Sequence, residues 1–414
     1  MNKPVRPFTM QRREFIRASL LASISACLPG ISFAHVETDS RFVLIILRGA
    51  MDGLAAVAPY GDGHYERLRG ELALDKPGSS KGALKLDELF ALHPSLSSLH
   101  ACYQRKELLV LHAIASPYRE RSHFDGQDLL ENGTTQPHAA LDGWLNRALP
   151  GMKGMQRNSE DFAMAFAHNV PLVLRGDQRV GSWVPSKLPA TDDDTLQRIA
   201  QMYATDPYFS SRLQTAMQTD AITNEKEDAA DNNSMSANKP GNSAVTAIAS
   251  AAAKMLKQAD GPRVAVMDAT GWDTHANQGA ATGQLATRLS GLDAAIDTLR
   301  SELGTVWQKT VVVIATEFGR TVATNGTRGT DHGTASCAFA IGGAINGGRV
   351  IADWPGLAAP QLYQGRDLMP TTDLRALFKG VLMEHMGVSE SALDSKVFAN
   401  SHDVRPLTGL IRRS

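Results

Sequence analysis

At 414 residues the chain can bury a large core, as one large domain or two ordinary ones. Its composition is that of a globular protein, 43% hydrophobic and 21% charged. Residues 1–34 hold five Lys/Arg and one Glu, so the remainder has 37 basic against 42 acidic residues, a net charge of −5. This mildly acidic balance gives no electrostatic basis for binding nucleic acid or an anionic membrane.

The first element is a targeting segment. Arg12-Arg13 and Phe15 precede a short, weakly apolar stretch, followed by Pro29 and the small-x-small run Ser32-Phe33-Ala34. This reads as a twin-arginine export signal cleaved after Ala34, which implies the twin-arginine translocase as a partner and a periplasmic or secreted destination. A competing reading takes Ile24-Ser25-Ala26-Cys27 as a lipoprotein box, with a lipid anchor on Cys27. The apolar stretch is too short to span a bilayer, and no later run reaches the roughly 20 apolar residues a transmembrane helix needs. If Cys27 leaves with the signal, Cys102 and Cys337 remain, either as a disulfide or as two buried thiols.

Five short apolar runs follow: RFVLIIL (41–47), ELLVLHAIA (107–115), RVAVMD (263–268), TVVVIAT (310–316) and CAFAIGG (337–343). Near-continuous apolar runs of this length predict strands buried on both faces. Between the third and fourth, Leu285, Leu289, Leu292, Ile296, Leu299 and Leu303 step by three and four, the signature of a helix with one apolar face. Strand, helix and strand in that order predict a βαβ unit, hence an α/β fold with a mostly parallel central sheet flanked by helices. Residues 372–388 read as a closing helix. Residues 219–245, polar and nearly without large apolar groups, read as a disordered surface insertion in a single domain spanning 35–414.

In open α/β sheets functional groups collect beyond the carboxyl ends of strands. The segments there are RGAMDGL with Asp52; SPYRERSHFDGQDLLENG with Ser116, Ser122, His123 and Asp125; ATGWDTHANQ with Asp273 and His275; and EFGR with Glu317 and Arg320. The last loop then runs on to Asp331-His332. Each group alone has a structural explanation, such as a turn for Asp52 or a helix N-cap for Ser122. Together they supply the convergent oxygen and nitrogen donors that a divalent cation needs. Arg48, Arg119, Arg121 and Arg320 lie in the same loops, as anion-binding groups or as partners of loop carboxylates.

LRGAMDGL, SPYRERSHFDGQDLLENG, GWDTHANQ, TEFGR and TDHG resemble the domain of unknown function 1501 family, twin-arginine-exported and sulfatase-like, within the alkaline phosphatase superfamily. The resemblance spans about residues 41–390. It implies an alkaline-phosphatase-like fold and an exported, metal-dependent hydrolase of phosphate or sulfate esters with an anionic ester substrate. It implies Ser122 as nucleophile, with Ser116 competing, and Arg320 and His123 as substrate-binding groups. The implied metal ligands are Asp52, Asp273, His275, Glu317, Asp331 and His332, holding one or two divalent ions (Zn, Mg, Mn or Ca). Phe318 stands where the superfamily has a histidine; if His332 is the final histidine ligand, the second site is oxygen-rich and suited to a harder ion, or empty. Asp331-His332 is then either a displaced Asp-His pair or the final histidine ligand with its neighbour. The missing imidazole also motivates a second expectation, a catalytically silent metal-binding accessory or binding protein of the envelope with the same fold.

Overall fold

The structure is a computed structural model that describes residues 39–155, 162–185, 193–206 and 242–412, with a few positions between 209 and 217. The expected export signal at 1–34 lies outside the described residues, as does the expected insertion up to residue 241. Its last four positions, 242–245, open a helix.

The strands are β1 (Arg41–Arg48), β2 (Val57–Ala58), β3 (Leu84–Lys85), β4 (Ala91–Leu92), β5 (Leu108–Ala115), β6 (Ala163–Phe166), β7 (Gly181–Ser182), β8 (Val264–Thr270), β9 (Thr310–Thr316), β10 (Ser336–Ile341), β11 (Arg349–Ile351) and β12 (Thr372–Asp373). The helices that matter here are α1 (Gly53–Ala56), α2 (Tyr65–Arg69), α3 (Ser97–Gln104), α4 (His123–Asn132), α5 (Trp144–Ala148), α6 (Asp193–Tyr203), α7 (Asn242–Lys257), α8 (Gln284–Leu303) and α9 (Leu374–Glu384). The main sheet has the order β11-β5-β10-β9-β1-β8-β6-β7, with β12 also on β5. The short β2, β4 and β3 form a separate antiparallel sheet.

The expected apolar runs become the middle of the main sheet. Leu44 of β1 lies level with Val266 of β8 and Val313 of β9, all three strands parallel. Alternation along β1 explains why the run is apolar throughout. Val43, Ile45 and Leu47 pack on one face with α7 and α8, and Phe42, Leu44 and Ile46 on the other with Trp144 of α5 and Phe378 of α9. The predicted stripe on α8 is buried along its whole length, Leu285 through Leu303. Truncating one such leucine to alanine costs roughly 2–5 kcal/mol.

One strand departs from the parallel expectation. Of the nine strands in the sheet, β10 alone runs against the others, antiparallel to both β5 and β9. A residue just before β10 therefore sits at the same edge as residues just after β1, β5, β8 and β9. Asp331-His332 occupies that position, and the 319–321 segment after β9 pairs back onto 331–334 through Thr321 N to Asp331 O (2.9 Å) and Gly319 N to Thr334 O (2.9 Å).

Cys102 and Cys337 are both buried thiols without a disulfide. Among the described residues no helix is long and apolar enough to cross a membrane.

Candidate metal centre

The carboxyl edge is assembled by loops that cross at short range. Gly49, directly after β1, has φ +121°, and a Cβ there would lie 2.7 Å from the amide nitrogen of Asp273. Only glycine lets the loops after β1 and β8 meet in this way.

Three imidazoles and one carboxylate converge at this edge. His275 Nε2 faces His332 Nε2 at 3.0 Å. Asp273 Oδ1 lies 3.0 Å from His275 Nε2 and 3.3 Å from His332 Nε2, and its Oδ2 lies 3.5 Å from His123 Nε2. One donor atom from each of His123, Asp273 and His332 falls within a 4.8 Å group. The far nitrogen of every ring is held by an acceptor. His123 Nδ1 meets Glu317 Oε1 at 2.8 Å, His275 Nδ1 meets Asp331 Oδ1 at 3.3 Å, and His332 Nδ1 meets the Arg121 carbonyl at 2.9 Å. Carboxylates and carbonyls only accept, so a neutral ring that gives its Nδ1 proton to that partner presents Nε2 as a bare lone pair. Two such lone pairs facing at 3.0 Å repel unless a cation or proton lies between them. His123 Nε2 is buried and has no hydrogen-bond partner.

This arrangement fits a metal ion. Two ligands about 2.0–2.1 Å from a zinc-like ion stand about 2.9–3.4 Å apart for angles between square and tetrahedral. The measured separations around Asp273, His275 and His332 fall in or near that range. Imidazole ligands generally donate their second nitrogen to a carboxylate or carbonyl, as all three do here.

The electrostatics match. Burial pushes the Asp273 carboxyl up, but Arg320, His275 and His123 outweigh it and hold the group below the usual carboxylate range. Glu317 is likewise pushed up by burial, yet hydrogen bonds from His123, Gln127 and Gly49 leave it ionised and depressed. The bond to Glu317 raises His123, against burial. Burial lowers His332, which favours the neutral form that binds metal.

Several expected site residues are placed otherwise. Asp52 is held by hydrogen donors. Its Oδ1 accepts from Ala55 N at the start of α1 (3.3 Å), and its Oδ2 takes Gln278 Nε2 (2.7 Å) and a buried ion pair with Arg69. Glu317 lies behind His123 with both oxygens occupied, Oε1 by Gly49 N (2.9 Å), Gln127 (3.2 Å) and His123, and Oε2 by Thr316 Oγ1 (2.9 Å). It orients the His123 ring, and Asp331 does the same for the His275 ring.

Arg320 is not available to a substrate. It is buried against the carbonyls of Ala50 (2.9 Å), Thr330 (3.2 Å) and Trp272 (3.4 Å) and against Asp273 Oδ1 (2.6 Å), which it aims at the imidazoles. His123 moves from substrate contact to the donor cluster, its ring stacked on Phe318 at 5.0 Å. Arg48 pairs with Glu131 (2.7 Å) and Asp268 (3.1 Å), Arg121 with Asp367 (2.8 Å), and Arg119 Nη1 donates to the carbonyls of Ser116 (2.5 Å) and Tyr118 (2.7 Å).

Ser122 is the N-cap residue of the ten-residue α4, yet its side chain makes no capping bond; its amide donates to Tyr118 Oη (3.0 Å). Ser116 is buried, its Oγ accepting from Tyr118 N (3.3 Å). Asp125 accepts from Tyr118 Oη (3.2 Å).

Two residues that the sequence did not single out hold this edge together. Arg69 ends α2 and reaches Asp52, and Gln278 joins Asp52 to Thr274 (2.8 Å) and Thr330 (2.9 Å). Gln278 stood inside a quoted loop; Arg69 gave no signal in YERLR.

Fold and site together define an α/β protein with a histidine-rich centre at the carboxyl edge of a mostly parallel sheet. A family model described as Protein of unknown function (DUF1501) matches residues 39–398, and the chain belongs to that family. A search of curated proteins finds no significant match. Among solved structures the chain is similar to a phosphonate monoester hydrolase of Agrobacterium radiobacter, at 12% identity over 84% of this chain and 74% of that one, with a TM-score of 0.38. It is also similar to Ps i-CgsB in complex with k-i-k-neocarrahexaose (10%, 74% and 66%, TM-score 0.33) and to a 2-O GAG sulfatase (10%, 75% and 66%, TM-score 0.29).

Proposed function

We propose that the protein is an exported, metal-dependent hydrolase of phosphate or sulfate esters. The observation that supports it most is the facing pair His275 Nε2 and His332 Nε2, 3.0 Å apart with both far nitrogens held by acceptors. His123, His332 and Asp273 would hold a divalent ion, with His275 beside them, and the ion would supply positive charge to an anionic ester and its leaving oxygen. Ser122 is the nucleophile in this reading. Its hydroxyl is not spent on capping, and the amides at the start of α4 favour an anionic group beside it. Attack forms an Oγ–phosphorus or Oγ–sulfur bond and breaks the ester bond; water then releases the inorganic anion and restores the hydroxyl. Arg320 keeps Asp273 ionised and aimed, and Glu317 keeps His123 in register. The export signal of residues 1–34 supports a periplasmic or secreted location.

The test is the metal-loaded full chain on aryl phosphate, phosphodiester, phosphonate and aryl sulfate substrates. Turnover is expected on at least one, with Ser122→Ala lowering kcat by about 1000-fold or more. Unchanged activity in Ser122→Ala removes the nucleophile assignment. A second reading, a silent metal-binding envelope protein, is favoured by one observation. Arg48, Arg119, Arg121 and Arg320 are all held by protein groups, so none is open to grip an anion. No turnover on any substrate by protein with bound metal selects it.

A further inference from the structure

The metal-binding half of that reading, apart from its chemistry, carries a sharper statement about the number and class of ion. We infer that the centre takes a single borderline transition ion of the zinc class on His123, His332 and Asp273, with His275 beside them. We further infer that the Arg69 guanidinium stands at Asp52 in place of a second cation.

The donor set decides the class. Two imidazole nitrogens and one carboxylate, with a third imidazole beside them, suit zinc, cobalt, nickel, copper or iron, whereas magnesium and calcium need six or more oxygens. The carboxylates that would make an oxygen-rich second site are filled. Asp52 is fully buried and takes hydrogens from Ala55 N, Gln278 and Arg69. Glu317, equally buried, takes them from Gly49 N, Gln127, His123 and Thr316. Neither belongs to the donor group formed by His123, Asp273 and His332.

Arg69 is itself locked. Its Nη1 lies 3.3 Å from the carbonyls of both Thr321 and Val322, and the Arg69 side chain is wholly buried. A divalent ion at Asp52 would face this fixed positive charge at close range in a poorly screened interior.

The experiment uses the chelator-stripped full chain, titrated separately with Zn²⁺, Co²⁺, Mg²⁺ and Ca²⁺ by calorimetry, with elemental analysis after desalting. Expected are one zinc or cobalt per chain, binding of Mg²⁺ and Ca²⁺ weaker by about 100-fold or more, and visible absorption from low-coordinate cobalt. His123→Ala should weaken zinc by about 100-fold or more and alter the cobalt spectrum, while Asp52→Asn should still bind one ion with affinity within about threefold. Two ions per chain, equal binding of magnesium, or wild-type affinity in His123→Ala overturns the inference. If Asp52→Asn does not fold, stoichiometry and His123→Ala decide. One zinc without turnover removes the hydrolase reading and leaves this one standing; two ions with turnover does the reverse.

Discussion

Asp52 and Asp273 follow neighbouring parallel strands, and each is paired with an arginine whose side chain is wholly buried. Their fates are opposite. The Asp52 side chain is 1% exposed and surrounded by hydrogen donors, while the Asp273 side chain is 42% exposed and faces imidazole lone pairs. Residue type and position after a strand do not make a ligand. What decides is whether the neighbours bring hydrogens or lone pairs, because an acceptor already filled by donors has nothing left for a cation.

That contrast can be broken by substitution. The largest effect is expected from Asp273→Ala or His332→Ala, which should leave no ion on the protein after desalting while the fold is kept; full metal content by elemental analysis would remove Asp273 from the centre. Asp52→Ala should do the reverse. It strands a buried guanidinium and should lower unfolding stability by about 3–5 kcal/mol in urea titration, with metal content unchanged. Glu317→Gln should weaken metal binding by about 10–100-fold by loosening His123, and a smaller loss would make Glu317 a packing residue only. The smallest effect belongs to the pair removed together. Asp52→Leu with Arg69→Met should cost no more than about 1 kcal/mol, because an apolar pair replaces two desolvated charges. A loss as large as that of Asp52→Ala would show that Gln278 needs its acceptor.

The sheet was legible because a strand buried on both faces must be apolar at every position, as Phe42 to Leu47 are. The α8 face was legible for the same reason at helical period. Strand direction was not: CAFAIGG reads alike in either sense, and only pairing with β5 and β9 reveals that β10 is reversed. The donors Asp273, His275 and His332 could be picked out by residue type and by place along the chain. His123 is expected at the substrate from the resemblance, and its bond to Glu317, 194 positions away, is not visible in the sequence. The hydrogen-bond partners of Asp52, Glu317 and Arg320 were not legible for one shared reason. A sequence displays acceptors and donors but not which have already met, and Arg69, at the end of a short helix, carried no mark of its meeting with Asp52.

The reversed course of β10 also has a mechanical consequence. It brings His332 against the carbonyl of Arg121, 211 positions earlier, and sets both beside the loop after β8. An ion gripped by His123, Asp273 and His332 would therefore tie distant parts of the chain together, as a cross-link does in a protein whose two described cysteines stay reduced. Withdrawing it would slacken a loop of half the chain's length, and the loss would appear in how cooperatively the whole domain melts rather than as fraying at one edge.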